Sequence, residues 1–139
     1  QGTENQFTTG KLDTIKNSDQ VEITFAASKN GDARAWVEFA TYYKGCLVGD
    51  STVTYELTNT LTPYRYVLSN QLYSSDLEVK VTFHTEAGDG SMDAIKVGEA
   101  RFVDGKAAVK VREAPAMYLY IVTYPDGRRE SGKVRVSEE

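Results

Sequence analysis

The chain has 139 residues, nine tyrosines, one tryptophan, one cysteine, one histidine and a formal net charge of −4. That length suits one domain able to bury roughly two-thirds of its unfolded surface. The charge disfavours nucleic-acid binding, which depends on Lys and Arg neutralising phosphates, and no run approaches the roughly 20 apolar residues needed to span a bilayer. Cys46 stands alone, so the chain can form no intramolecular disulfide and no cysteine-based zinc or iron–sulfur site. Packing must hold the fold. The start at Gln1, without a methionine, reads as a processed or excised product. With polar, Thr-rich strands, it points to a secreted, periplasmic or cell-surface setting.

Residues 1–10 are polar apart from Phe7 and read as a flexible N-terminal arm or linker stub, leaving 11–139 as the domain. Leu12 and Ile15 suggest a short strand, and Asn17-Ser18-Asp19 a turn. Val21, Ile23 and Phe25 alternate with Glu22 and Thr24, the period of a half-buried strand. The following Ser28-Lys29-Asn30-Gly31-Asp32 carries Asn-Gly, a strong hairpin signal, with Ala35–Tyr43 as the partner. That partner admits two readings. As a strand it sets Val37, Phe39 and Thr41 against Trp36, Glu38 and Ala40. As a helix it is capped by Asp32, gathers Trp36, Phe39, Ala40 and Tyr43 on one face, and ends at Gly45. The Asn-Gly turn and the aromatic, β-branched content favour the strand.

Gly45–Asp50 reads as a connection carrying Cys46. Val53, Tyr55 and Leu57 alternate with Thr52, Thr54 and Glu56, and Thr58–Pro63 turns the chain into Tyr64, Tyr66 and Leu68, with Arg65 outward. The cleanest alternation follows: Leu77, Val79, Val81 and Phe83 inward, with Glu78, Lys80, Thr82 and His84 outward. Glu86–Asp93 is a glycine- and acid-rich loop. Ile95, Val97 and Arg101–Val103 flank Gly98, and Asp104-Gly105 turns into Ala107, Val109 and Val111. Met117–Tyr124 is the most apolar run, bracketed by Pro115 and Pro125, with bulky residues on both faces. A strand covered on both sides over part of its length would look like this. Asp126-Gly127 then reverses the chain towards Lys133–Val136. Eight to nine short strands, with turn signals about every 8–12 residues, make an all-β sandwich or barrel.

The segment from Pro115 through Tyr124-Pro125-Asp126-Gly127 to Gly132-Lys133-Val134-Arg135-Val136 resembles the final hairpin of immunoglobulin-like and fibronectin type III-like domains. The resemblance covers roughly a fifth of the chain and implies architecture, not activity. It implies a single antiparallel Ig-like β-sandwich, with Tyr118 as the corner tyrosine and Trp36 at the position where such domains bury a tryptophan. No cysteine pair flanks that tryptophan, a departure from the pattern.

Candidate sites are few. A cysteine nucleophile needs a histidine base and an orienting third group, and nothing in the sequence joins Cys46 to His84 on its polar strand face. Glu86, Asp89, Ser91 and Asp93 crowd one loop and could offer oxygen ligands to calcium. The EF-hand pattern fails there, because Ala94 stands at its glycine position and Ala100 at its final ligand position. Arg128, Arg129, Lys133 and Arg135 form a small basic patch that suits a solvated sheet edge. Tyr42, Tyr43, Tyr64, Tyr66, Tyr118, Tyr120 and Tyr124 offer amphipathic rings for a protein or glycan surface, although tyrosine is also an ordinary strand residue. The expectation is a non-catalytic β-sandwich module without a cofactor, binding a protein or glycan partner at the cell surface. The alternatives are a structural spacer of a larger surface protein and a small hydrolase built on dispersed carboxylates.

Overall fold

The computed structural model describes residues 3–9, 12, 20–49, 51–69, 76–86, 94–103, 106–110 and 118–134. Eleven strands are described: β1 Thr3–Thr8, β2 Gln20–Lys29, β3 Ala35–Tyr43, β4 Cys46–Leu47, β5 Val53–Glu56, β6 Thr62–Ser69, β7 Leu77–Thr85, β8 Ile95–Val103, β9 Lys106–Lys110, β10 Tyr118–Thr123 and β11 Arg129–Val134. All pairings among them are antiparallel. The first sheet runs β1-β7-β3-β4, with β5 also on β3; the second runs β11-β10-β2-β8-β9, with β6 also on β2. No helix among the described residues is long and apolar enough to cross a membrane.

The alternating patterns decide which face each strand buries. Val37 and Phe39 of β3 join Val79, Val81 and Phe83 of β7 in one core with Val21, Ile23 and Phe25 of β2. The Phe25 ring lies 5.4 Å from Phe39 and 5.6 Å from Phe83, so the inner faces of the two sheets meet across these aromatics. This layering is compatible with a β-sandwich. Truncating a buried phenylalanine of this kind to alanine costs about 3–5 kcal/mol.

Three expectations need correction. The Asn-Gly turn does not close a hairpin between β2 and β3, which lie in opposite sheets. The five residues from Asn30 to Arg34 carry the chain between layers that in stacked sheets are about 10 Å apart, whereas a two-residue hairpin would keep both strands in one sheet. Both strands bring apolar faces to the same core from opposite sides, and that burial outweighs the local turn preference. Residues 3–8, expected within a flexible arm, form an edge strand registered on β7 from Thr3↔Thr85 to Thr8↔Lys80. The ladder is made of backbone groups, so it leaves no apolar signature for periodicity to detect. Ala35–Tyr43 is a strand, as its aromatic and β-branched content favours, but one expectation for it fails. Its tryptophan does not reach the core: Trp36 lies half-buried on the outer face, against His84.

The two central strands show how faces are shared. β3 pairs with β7 along its whole length and takes β5 and β4 in succession on its other edge. β2 pairs with β6 along one edge, while β10 takes Glu22–Thr24 and β8 takes Ala26–Lys29 on the other. Beyond Gly98, β8 cannot continue along β2 because β10 occupies that edge. It crosses the outer face instead, where Thr24 Oγ1 donates to the carbonyl of Ala100 at 3.0 Å. Thr24, Ala26 and Ser28 point away from the core and are nonetheless buried. The final hairpin has the expected form, although β11 begins at Arg129, with Tyr118 opposite Val134. Ile121, on the side away from the core, is buried as well, as the bulky residues on both faces of that run implied.

Candidate functional site

The described tyrosines divide by position. Tyr66 of β6 donates its hydroxyl to the carbonyl of Ser51 at 3.1 Å and shares a short hydrogen bond with Thr41 Oγ1 of β3. Tyr64 of β6 reaches the Glu56 carbonyl of β5 at 3.3 Å, and Tyr55 of β5 reaches back to the Arg65 carbonyl of β6 at 3.1 Å. These hydroxyls lace the first sheet to the second along one side. Each ring fills core volume while its polar tip finds a backbone partner, the arrangement a buried tyrosine needs. Burial pushes the Tyr64 and Tyr66 phenols above their ordinary value, because a phenolate there would lose its water. Tyr120 is raised for the same reason, with Glu130 adding to the effect.

Tyr120 packs on Gly132 opposite it, and Tyr124, also buried, donates to Glu130 Oε1 at 3.1 Å beneath the Arg128 guanidinium. Four of the seven sequence-nominated binding tyrosines (Tyr64, Tyr66, Tyr120 and Tyr124) therefore belong to the core and cannot form a docking surface. The side chain of Tyr118 lies outside the described residues. Tyr42 and Tyr43 remain. Tyr43 is 38% exposed beside Lys44, and Tyr42 is half-buried with Lys80 Nζ 4.0 Å from its ring centre.

Tyr42 opens onto a shallow groove of ≈ 190 Å³, formed among the described residues on the outer face of β1, β7 and β3. Strand register builds it. Gln6, Thr82 and Glu38 stand in one row across three strands, and Thr8, Lys80 and Ala40 in the next. Ala40 and Thr82 are the floor, buried between longer neighbours; Gln6 Nε2 donates to Thr82 Oγ1 at 3.1 Å. Small side chains at floor positions leave the hollow.

One end of the groove is walled by His84. Its Nδ1 lies 3.2 Å from Glu4 Oε2 of β1 and its Nε2 lies 3.1 Å from Glu38 Oε1 of β3. The imidazole stacks on Trp36 at 5.0 Å and 7°, and the Arg34 guanidinium covers Trp36 4.2 Å from the ring centroid. Arg34 is clasped by Glu56, with Nε donating to Oε1 at 2.9 Å, and this bond is the main cause holding its guanidinium above its ordinary value. His84, expected on an outward polar face, is thus only 15% exposed. The other end carries Lys80, whose ammonium lies over the Tyr42 ring.

The chemistry follows from these positions. Glu4 and Glu38 address opposite ring nitrogens of His84, so they do not converge on a common metal position. Among the described residues no cluster of three or more His, Cys, Asp or Glu is arranged to hold a metal ion. Glu86, the described member of the proposed calcium loop, accepts instead from the Arg34 backbone N–H at 3.4 Å; Asp89, Ser91 and Asp93 lie outside the described residues. Cys46 pairs with Tyr43 and His84 with Trp36, seven residues apart along β3. At about 3.3 Å per residue that is roughly 23 Å, too far for a nucleophile–base pair.

Sequence reasoning placed Glu38, Lys80, Thr82 and His84 on outward faces but could not join them into one surface. Glu4 and Gln6 were missed with the strand that carries them. No protein-family model and no curated protein matches the sequence. Among solved structures, the chain is similar to the enzymatically active domain of tailspike protein 4 from bacteriophage CBA120. Identity is 15% and the TM-score 0.42, over 63% of this chain and 12% of that one. A likeness of that size informs neither activity nor ligand.

Proposed function

We propose that this protein is a non-catalytic, immunoglobulin-like β-sandwich module of a secreted, periplasmic or cell-surface setting, which engages a protein or glycan partner through the outer face of β1, β7 and β3. One observation carries the reading. That face combines a hollow with polar groups of several kinds around its rim, the carboxylates of Glu4 and Glu38, the amide of Gln6, the ammonium of Lys80 and the ring of Tyr42, above a floor that includes Thr82. A few placed polar groups around a concavity are what orient a bound partner. Its negative and positive ends favour partners of complementary charge and disfavour polyanions such as nucleic acid.

The test is binding of the purified protein to a glycan panel and to cell-surface extract, with Tyr42→Ala and Lys80→Gln compared with the parent. A saturable partner lost in both folded variants supports the module and locates its surface. A partner retained by both variants moves the surface elsewhere. Silence across both panels leaves a spacer domain, the alternative, in which the tyrosine hydroxyls and aromatic core account for the composition without any ligand.

A further inference from the structure

The corner between β2 and β3 carries chemistry that its failed hairpin role leaves unused. We propose that Asn30 is a modification site: its side-chain amide is lost spontaneously through ring closure onto the backbone nitrogen of Gly31. The Gly31 nitrogen attacks Asn30 Cγ, a C–N bond forms, and ammonia leaves to give a five-membered succinimide. Water then opens either carbonyl, yielding aspartate or isoaspartate at position 30. No oxidant, enzyme or cofactor is needed; water is the co-reactant, and one negative charge is gained.

Four features make this corner competent. Asn30 and Gly31 are exposed. The Asn30 amide and the Gly31 N–H have no hydrogen-bond partner among the described residues, so neither electrophile nor nucleophile is tied. Gly31 has no Cβ to hinder the approach, with open space where one would sit and a φ of +90°. Finally, the carbonyl of Gly31 is anchored by Lys29 Nζ at 2.9 Å and Asn59 Nδ2 at 3.2 Å, which fixes the far side of the turn without blocking the reacting nitrogen.

Asn59, in the neighbouring turn, is the internal contrast. Its amide nitrogen is held by the carbonyls of Lys29 and Gly31, and the next nitrogen, that of Thr60, donates to Thr58 Oγ1 at 3.2 Å. There the electrophile and the nucleophile are both engaged, and Thr60 is bulkier than glycine. The same corner thus holds one reactive and one protected asparagine. Isoaspartate at position 30 would add a backbone carbon to the link between the two sheets, next to the point where Lys29 N–H donates to the Thr58 carbonyl at 2.7 Å.

The experiment incubates the folded protein at mildly alkaline pH, beside a urea-unfolded sample, and follows each asparagine by peptide mass and by fragmentation that separates aspartate from isoaspartate. Circular dichroism confirms that the first sample stays folded. The expected result is conversion at Asn30 within about threefold of its unfolded rate, while Asn59 slows by at least about tenfold, as a site that must open locally before reacting. Asn30→Gln should abolish the charge gain at the corner. Slowing of Asn30 by about tenfold or more in the folded protein would overturn the proposal, because the corner would then be protecting it.

Discussion

The outer faces of the two sheets begin from the same pattern and end in opposite states. On β3 and β7 the residues pointing away from the core are Trp36, Glu38, Ala40, Tyr42, Lys80, Thr82 and His84, and the face stays wet, charged and hollowed. On β2 they are Glu22, Thr24, Ala26 and Ser28, and the last three are buried, with Thr24 bonded to the Ala100 carbonyl of β8. Side-chain size accounts for much of this difference. Ala26 pairs with Gly98, and Ala100 follows at the crossing, so two backbones can approach; no such run of small residues exists on β7. A sheet face is therefore available for binding where its outward residues are too large and charged to admit a second layer of chain.

Two buried alanines break or sharpen that comparison. Ala26→Leu forces a larger side chain under the crossing hairpin and should cost about 1–3 kcal/mol, read as a lowered urea midpoint at constant slope. Ala40→Leu, on the groove floor, has the hollow of ≈ 190 Å³ to extend into and should cost less than Ala26→Leu while abolishing partner binding. Equal destabilisation by both would mean that the two faces are packed alike. Gly132→Ala belongs with the larger effects: its Cβ would sit 2.0 Å from Tyr120 Cζ, and the ring, itself in the core, must give way at about 1–3 kcal/mol.

Thr24→Val keeps the shape of the roofed face but strips the hydroxyl from the Ala100 carbonyl, a loss of about 1–2 kcal/mol. The buried tyrosines add a pH signature. Tyr64, Tyr66 and Tyr120 are raised by burial, so the folded state holds their protons more tightly than the unfolded chain does. Their contribution is intact below the unfolded value near 10 and is lost as pH climbs from there through the folded values. Urea midpoints should fall steeply above about pH 10, and Tyr66→Phe should flatten that fall. A curve unchanged in Tyr66→Phe would show that its phenol is not part of the alkaline limb.

How much of this could be read from the chain turns on which contacts leave a periodic trace. Val21-Ile23-Phe25 and Val79-Val81-Phe83 announced their inner faces, because each buries apolar atoms at every second position. Strand Thr3–Thr8 left no such trace, since its attachment is a backbone ladder to β7. Asn30-Gly31 carried a true turn signal but not the information that the two flanking strands face each other across the core. The tyrosines were the most misleading. A hydroxyl that seeks one backbone carbonyl across the core, as in Tyr64 and Tyr66, has the same one-letter code as a ring offered to a partner. The groove was hidden for a topological reason: Gln6, Thr82 and Glu38 are far apart in sequence and become neighbours through strand order, which alternation does not encode.

The smallest effect separates surface chemistry from stability most cleanly. Lys80 contacts the Tyr42 ring at a partly exposed position, a cation–π contact of about 0.5–1 kcal/mol. Lys80→Gln should therefore shift the urea midpoint only slightly, and less still in high salt, where exposed charge interactions are screened. If Lys80 is the cationic end of a binding groove, the same substitution should weaken an acidic partner far more than it weakens the fold, and the parent's affinity should fall as salt rises. If affinity and stability instead change by the same small amount, Lys80 is a solvated lysine resting on a tyrosine. The outer face of the first sheet would then differ from the roofed face only in lacking a lid.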